Sequence, residues 1–489
     1  MNKQKITTIT NWLFWLLVIA SGVLVITSLS IYYLYSPTYC DAAYYIEIAR
    51  QINKGYSLYS DIHCTYTPIG IYLVAFLEKI FHCPKPFYIF CIDYFIIAVS
   101  ILLVYAIARE LKLNKKLSII SAAVYSVTYI LMEVDSIFIL EPISNLFGLA
   151  AILATLKAGD NKINIILAGL VASISFWCKQ YGAGFFPLCA IILVFDSKTF
   201  KDGVIKILLF VSGYAITFLL CYLFWEECLF YTTHTSYGTN NAAKIWYETN
   251  ERPLRWAVDL LLNKFSPFLY GLVLIPFVIK SLNKKAVRDI LMLACGIVGY
   301  MSAFYLSQSY HYFIYVIPFT SLLMTYLWSL YHDNKYVFAV YSLVAIATIV
   351  SVFHFACINN LRDKYKNDII YNKTRQKELA IAKRIKTLIP EDACVYNATT
   401  EAVWLNLMAD LTPSTYNGKL DFSFGPLVFD STRMKERVET AEYAIYMTNA
   451  YDGDWKGLIK KYMPDNEALI AFRYTNTKTI VLVRRKTED

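Results

Sequence analysis

The stretch SPTYCDAAYYIEIARQINKGYSLYSDIHCTYTPIGIYLVAFLEKIF, Ser36 to Phe81, comes directly after an apolar run over residues 12 to 35. A run of that length crosses a bilayer, which takes about 20 apolar residues. Beyond it the chain continues as neither a basic loop nor a second full-length span. Asp41 stands a few residues past the run, near the water–lipid boundary, where a dehydrated and unpartnered carboxylate costs several kcal/mol. In DAAYYIEIARQI, Tyr44, Tyr45, Ile48 and Ile52 recur at helical spacing. This predicts an amphipathic helix that Asp41 caps and that lies on the membrane. The segment YTPIGIYLVAFLEKIF, introduced by Pro68, is too short for a comfortable span and predicts a second interfacial helix. An acid set between the first span and two such helices faces both lipid and water.

The rest of the chain agrees with a membrane reading. Of its 489 residues, 57% are hydrophobic and 17% charged, against about 25% charged in soluble domains. Eleven candidate spans emerge, near 12 to 35, 86 to 108, 117 to 132, 141 to 157, 163 to 178, 182 to 196, 206 to 226, 267 to 280, 289 to 306, 312 to 330 and 335 to 356. The first is too long for a cleaved leader and reads as a retained helix. With MNKQK in the cytoplasm, the basic loops ARELKLNKKL, KAGDNK, DSKTFKDG, KSLNKKAVRD and YHDNKY fall on that side. The short loops of opposite parity, MEVDSIFILEP and SQSYHY, hold no Lys or Arg, as the positive-inside rule expects. Topology thus explains most of the net charge of +9, and nucleic acid is not an expected partner.

The same parity puts Ser36 to Lys85, Trp225 to Ser266 and everything after about Cys357 outside the cytoplasm. The expected division is a transmembrane unit over 1–356 and an extracytoplasmic α/β domain over 357–489. In the latter, RQKELAIAKRIKT and TTEAVWLNLMA read as helices; ACVYNA, AEYAIYM, EALIAFRY and KTIVLVRR read as strands. It carries no nucleotide-binding glycine pattern and no metal-ligand spacing, so no chemistry is assigned to it. Most of the 11 cysteines lie in or beside spans, where Cys is a small hydrophobe. Cys40 and Cys64 share the first outer loop, and a bridge between them is one option. The fold class is therefore a mainly α-helical polytopic membrane protein with a small C-terminal α/β domain. High Lys, Ile, Asn and Tyr content fits a low-GC bacterium and its plasma (inner) membrane.

Several polar residues gather on the outer side. Glu133, Asp135 and Glu141 occupy the loop after the third span, and Glu141 precedes Pro142 in a helix-start arrangement. Lys179 ends the fifth span at the outer face, where Lys is disfavoured, and Gln180 comes next. Tyr310, His311 and Tyr312 enter the tenth span from the same side. The tyrosines suit an interfacial aromatic belt, whereas His311 is less expected there. Arg50, His63, Arg252 and Arg255 are outer polar residues with no assigned role. Thr232 to Pro253 has the small, polar character of a gating loop.

A first span succeeded at once by an Asp, then by YY, IA, Gly55, Tyr59, Asp61 and the P-x-G-x-Y run of Pro68 to Tyr72, resembles the first outer loop of polytopic glycosyltransferases of the C superfamily. It is most similar to bacterial relatives of aminoarabinose transferase and protein O-mannosyltransferases. MEVDSIFILEP, FWCKQYG and SYHYFIYVIP come in the family's order and on one side. One departure is that Asp41 precedes Ala42 where the family often has a second acid. The resemblance implies transfer of a sugar from a polyprenyl-phosphate carrier to an outer acceptor such as a cell-surface glycan, lipid A or a protein hydroxyl. It implies Asp41 as base in an inverting displacement, with Glu141 and Asp135 as further carboxylates. Lys179, Gln180, His311 and Tyr310 would then bind the donor phosphate, and a divalent cation on Asp41 and Glu141 is an option the family leaves open. Two alternatives remain: an O-antigen polymerase or ligase using the same carrier, and a lipid-linked sugar transporter or flippase.

Overall fold

A computed structural model describes residues 15, 19, 22, 23, 26, 40–64, 66–81, 87–131, 140–225, 227, 283–307, 310–331, 376–398, 404–422, 431–449 and 454–486. The segment expected as the first outer loop contains α1 (Cys40–Asn53), β1 (Ile62–His63) and α2 (Pro68–Phe81). Then come α3 (Phe87–Glu110), α4 (Lys115–Leu131), α5 (Leu140–Ala158), α6 (Lys162–Cys178), a 3-10 turn (Gln180–Gly184), α7 (Phe185–Phe195) and α8 (Phe200–Phe224). After α9 (Lys284–Ser307) comes a second 3-10 turn (Tyr310–Tyr315), then α10 (Ile317–Tyr331). The expected spans from 86 to 226 and from 289 to 330 lie on α3 to α10. Those at 12 to 35, 267 to 280 and 335 to 356 lie wholly or largely outside the described residues, as do Glu133, Asp135 and the segment Thr232 to Pro253. Among the described residues, Ile92–Glu110, Leu140–Ala158 and Phe200–Phe224 are long and apolar enough to cross a membrane.

The C-terminal region holds α11 (376–386), β2 (Cys394–Asn397), α12 (Trp404–Ala409), β3 (Thr412–Pro413), β4 (Thr415–Tyr416) and β5 (Lys419–Asp421). It continues with α13 (Ser431–Thr440), β6 (Tyr443–Met447), α14 (Trp455–Tyr462), β7 (Asn466–Arg473) and β8 (Thr479–Arg485). Five strands form one sheet in the order β3-β2-β6-β8-β7. The β2–β3 and β2–β6 pairs are parallel, while β8 runs antiparallel to β6 and β7. β6 and β8 alternate their side chains between two apolar layers: Ile445, Ile480 and Leu482 pack under α11 and α12, and Ala444, Val481 and Val483 under α13 and α14.

This region is locked onto the segment that carries α1, β1 and α2. β1 pairs in parallel with β5, His63 opposite Asp421, which makes a three-stranded sheet of β1, β5 and β4. Leu420 N donates to the Asp61 carbonyl at 2.8 Å, and Lys419 Nζ to the Tyr59 carbonyl at 2.6 Å. From α1, Arg50 pairs with Glu78 of α2 at 2.6 Å and donates to the Leu407 carbonyl of α12 at 2.8 Å. Consequently α1 is no membrane-lying helix with one wet face: Ala43 to Ala49, Glu47 included, are all buried. Its apolar stripe meets α2, and its other side is covered by α12. Burial raises the Glu47 carboxyl well above the usual carboxylate range. Cys64 is a buried thiol, its Sγ 3.8 Å from the Tyr66 carbonyl oxygen.

At the β1–β5 seam, Arg433 grips Asp421 with Nε at 2.5 Å and Nη2 at 2.9 Å, while Arg437 Nη2 donates to the Asp421 carbonyl at 2.7 Å. Burial, and repulsion from Arg433 after it, push the nearby His63 imidazole down from 6.5 to about 4, with Asp421 opposing. Between those values the unfolded chain holds a proton that the folded chain does not. Stability therefore falls as pH drops through that window and is level above it. At about 1.4 kcal/mol per pKa unit the loss is at most about 3 to 4 kcal/mol. Wild type should lose more melting temperature than His63→Gln between about pH 7 and about pH 4.5; equal losses would remove His63 as the titrating group.

Candidate functional site

The N-terminal end of α5 and the C-terminal end of α6 meet under α1 and α2. Ser144 and Ser175 clamp them reciprocally: Ser144 Oγ donates to the Ser175 carbonyl at 2.8 Å, and Ser175 Oγ to the Ser144 carbonyl at 2.7 Å. The clamp sets Glu141, in the first turn of α5, opposite Lys179, the residue that ends α6. Lys179 has extended backbone (φ −159°, ψ 136°), which turns the chain out of the helix and into the 3-10 turn. Two glycines permit this corner. A Cβ on Gly182 would sit 2.3 Å from the Ser175 carbonyl oxygen, and one on Gly70 of α2 would sit 2.8 Å from that of Cys178.

The result is a cation enclosed by protein. Lys179 is 3% exposed and Glu141 is 0% exposed, so snorkelling to the interface does not describe this lysine. Lys179 Nζ lies 2.9 Å from Glu141 Oε1, donates to the Tyr45 hydroxyl at 3.2 Å and sits 4.0 Å from the centre of the Tyr66 ring. The Tyr45 and Tyr66 rings meet edge to face at 5.2 Å. An ion pair this deep needs an opposite charge and further polar contact, and the ammonium has both, in Glu141 and the Tyr45 hydroxyl. Cation–π contact with Tyr66 adds to it.

Of the residues singled out in the sequence, Glu141 and Lys179 are brought into contact. Gln180, half-buried, begins the 3-10 turn beside them. Tyr310 and His311 lie in the second 3-10 turn, which docks on the first through Tyr181 and Tyr312, their rings 4.1 Å apart. Asp41 sits in the first turn of α1, one residue inside the helix start rather than at its cap. A carboxylate suits that place, because the helix N-terminus carries partial positive charge. Tyr45 comes four residues later, on the same helical face, and reaches Lys179. Asp135 lies outside the described residues. Sequence reading missed Tyr45 and Tyr66 as partners of the lysine: tyrosines at a membrane boundary read as an aromatic belt, and nothing local marks these two.

The expected divalent cation on Asp41 and Glu141 involves carboxylates of which only Glu141 has a described side chain. Glu141 is already matched by an ammonium at 2.9 Å, and among the described residues no three His, Cys, Asp or Glu side chains gather.

The family described as "Predicted membrane protein (DUF2079)" matches residues 62–456. No curated protein matches the chain. Solved structures do. ArnT from Cupriavidus metallidurans in the apo state superposes with TM-score 0.57 at 13% identity, over 97% of this chain and 98% of that one. The same protein bound to undecaprenyl phosphate gives TM-score 0.57 at 13% identity, over 98% and 99%. The apo oligosaccharyltransferase of Archaeoglobus fulgidus gives TM-score 0.51 at 10% identity, over 88% of this chain and 69% of that one. The chain thus shares its fold with these two proteins.

Proposed function

We propose that this chain, which belongs to the DUF2079 family of predicted membrane proteins, is a glycosyltransferase that moves a monosaccharide from a polyprenyl-phosphate carrier to an acceptor outside the cytoplasm. One observation carries the reading: a buried cation, Lys179, touches Tyr45, on the same face of the same short helix as Asp41. Such a reaction needs a base for the acceptor hydroxyl and positive charge for the departing phosphate. Asp41 and Tyr45, the residue that touches the cation, lie one helical turn apart on α1, about 6 Å along its axis. The fold shared with a protein solved with undecaprenyl phosphate supports the choice of carrier.

In this mechanism Asp41 takes the proton of the acceptor hydroxyl as its oxygen attacks the anomeric carbon. The bond from that carbon to the phosphate oxygen breaks, and polyprenyl phosphate leaves with the electron pair. The single displacement inverts the anomeric centre. Lys179 meets the charge that develops on the phosphate, exchanging its Tyr45 or Tyr66 contact for a phosphate oxygen, and Glu141 keeps the ammonium in place. Gln180, Tyr310 and His311, on the two docked 3-10 turns, complete the phosphate site. The asymmetry of Lys and Arg supports the outer face of the plasma membrane as the place of this corner.

The test is turnover. Protein in nanodiscs, supplied with a panel of polyprenyl-phosphate monosaccharides, should release free polyprenyl phosphate or transfer sugar. A silent panel from protein that still binds these lipids would sink the enzyme reading in favour of transport.

A further inference from the structure

At the other end of the spans lies a second polar site. A cavity of about 370 Å³ opens there, walled by Lys112, Lys284, Lys285, Arg288, Glu110 and Asp196. Leu156 of α5 also lines it, fifteen residues and so about 22 Å along the helix from Glu141. A neighbouring cavity of about 260 Å³ shares Lys284 and is largely apolar, with Val194, Phe200, Val204 and Ile207 in its wall. Lys284 stands at the seam, its Nζ donating to the Ser197 carbonyl at 3.3 Å.

The charges here are not all matched. Arg288 is held by Asp289 at 2.5 Å and by Asp196, and Glu110 faces Lys157 at 4.0 Å. No ion pair among the described residues engages Lys112, Lys284 or Lys285. Two of these lysines open α9, whose first turn contains no acid. A helix N-terminus already carries partial positive charge, so cations there are disfavoured and an anion is favoured. The apolar cavity continues onto an exposed apolar stripe of α8, where Phe200, Val204 and Leu208 are 90%, 41% and 62% exposed. Lysine charge thus runs into an exposed apolar surface, which suits a hydrocarbon chain.

We infer that this seam binds one anionic phospholipid of the cytoplasmic leaflet. Its phosphate sits against Lys284 and Lys285 with Lys112 across the cavity, and one acyl chain lies along Phe200, Val204 and Leu208. The Lys and Arg asymmetry gives the leaflet, and charge complementarity gives the headgroup. The site is separate from the Lys179 corner and does not depend on the proposed transfer reaction.

Native mass spectrometry and melting temperature of protein in neutral detergent test this. Phosphatidylglycerol should be retained and should raise the melting temperature; phosphatidylcholine with the same chains and inorganic phosphate should do neither. Lys284→Gln/Lys285→Gln should weaken phosphatidylglycerol retention about thirtyfold, about fivefold for each lysine beside an anionic lipid. Lys435→Gln, on α13 and exposed, should change nothing. Equal retention of phosphatidylcholine, or unchanged retention by the double variant, would overturn the site. Inorganic phosphate reproducing the shift would overturn it too, by assigning the pocket to a free anion. Should the double variant fail to fold, Lys285→Gln alone and the salt dependence in wild type decide. An affinity for phosphatidylglycerol indifferent to ionic strength is the adverse result.

Discussion

Lys179→Met is expected to lower the melting temperature sharply and to reduce sugar transfer by about two to three orders of magnitude. The two losses have different causes, which can be separated. Methionine keeps the length and apolar stem of lysine but leaves Glu141, at 0% exposure, without the ammonium that now lies 2.9 Å away. Breaking a buried ion pair by removing one partner costs about 3 to 5 kcal/mol, because the surviving charge stays buried. Adding Glu141→Gln removes that charge, so the double variant should recover most of the melting temperature. Transfer should not recover with it, since the phosphate still lacks its cation. The two positions are in contact, so their effects on stability should be strongly non-additive while their effects on rate are not compensating. A double variant that regains both stability and turnover would reduce Lys179 to a structural counter-ion of Glu141. The phosphate site would then have to be built from Gln180 and the Tyr310–Tyr315 turn alone.

The bilayer explains why much of this was legible in one sequence. A span must be apolar over a fixed length and its basic flanks must lie on one side, so the helices from α3 to α10 announce themselves. Lys179 was visible for the same reason, as a lysine at the wrong end of a span. Its pairing with Glu141 was not, because 38 residues separate them and they meet only in the folded chain, where the Ser144–Ser175 clamp joins their helices. The amphipathic pattern of Tyr44, Tyr45, Ile48 and Ile52 correctly marked α1 as a helix and wrongly laid it on lipid. Its periodicity reports one apolar face; the other side is covered by α12, more than 350 residues later. Glu47, inside that helix, was the available hint that both faces are enclosed. β1 is two residues long, too short to alternate, so its pairing with β5 and the docking it produces have no local signal.

Asp41→Asn is expected to lower transfer by about two to four orders of magnitude with little change in melting temperature or in donor affinity. Asparagine has the shape of aspartate and suits the same first turn of α1, but its amide does not accept the acceptor's proton. The choice of Asp41 over Glu141 rests on the corner itself. Glu141 is sealed from the surface, and its charge is committed to Lys179. A base that must meet an incoming hydroxyl belongs on the other side of Tyr45, where α1 begins. Asp41→Glu, with the carboxylate moved by one methylene, should recover part of the rate, because the chemistry survives while the positioning suffers. Release of polyprenyl phosphate, measured with donor saturating and then limiting, separates these outcomes. A loss confined to the apparent affinity for donor would make Asp41 a binding residue. Full turnover in Asp41→Asn would pass the proton transfer to Asp135 or Glu141, and Glu141→Gln alone would then have to abolish the rate if Asp135→Asn did not.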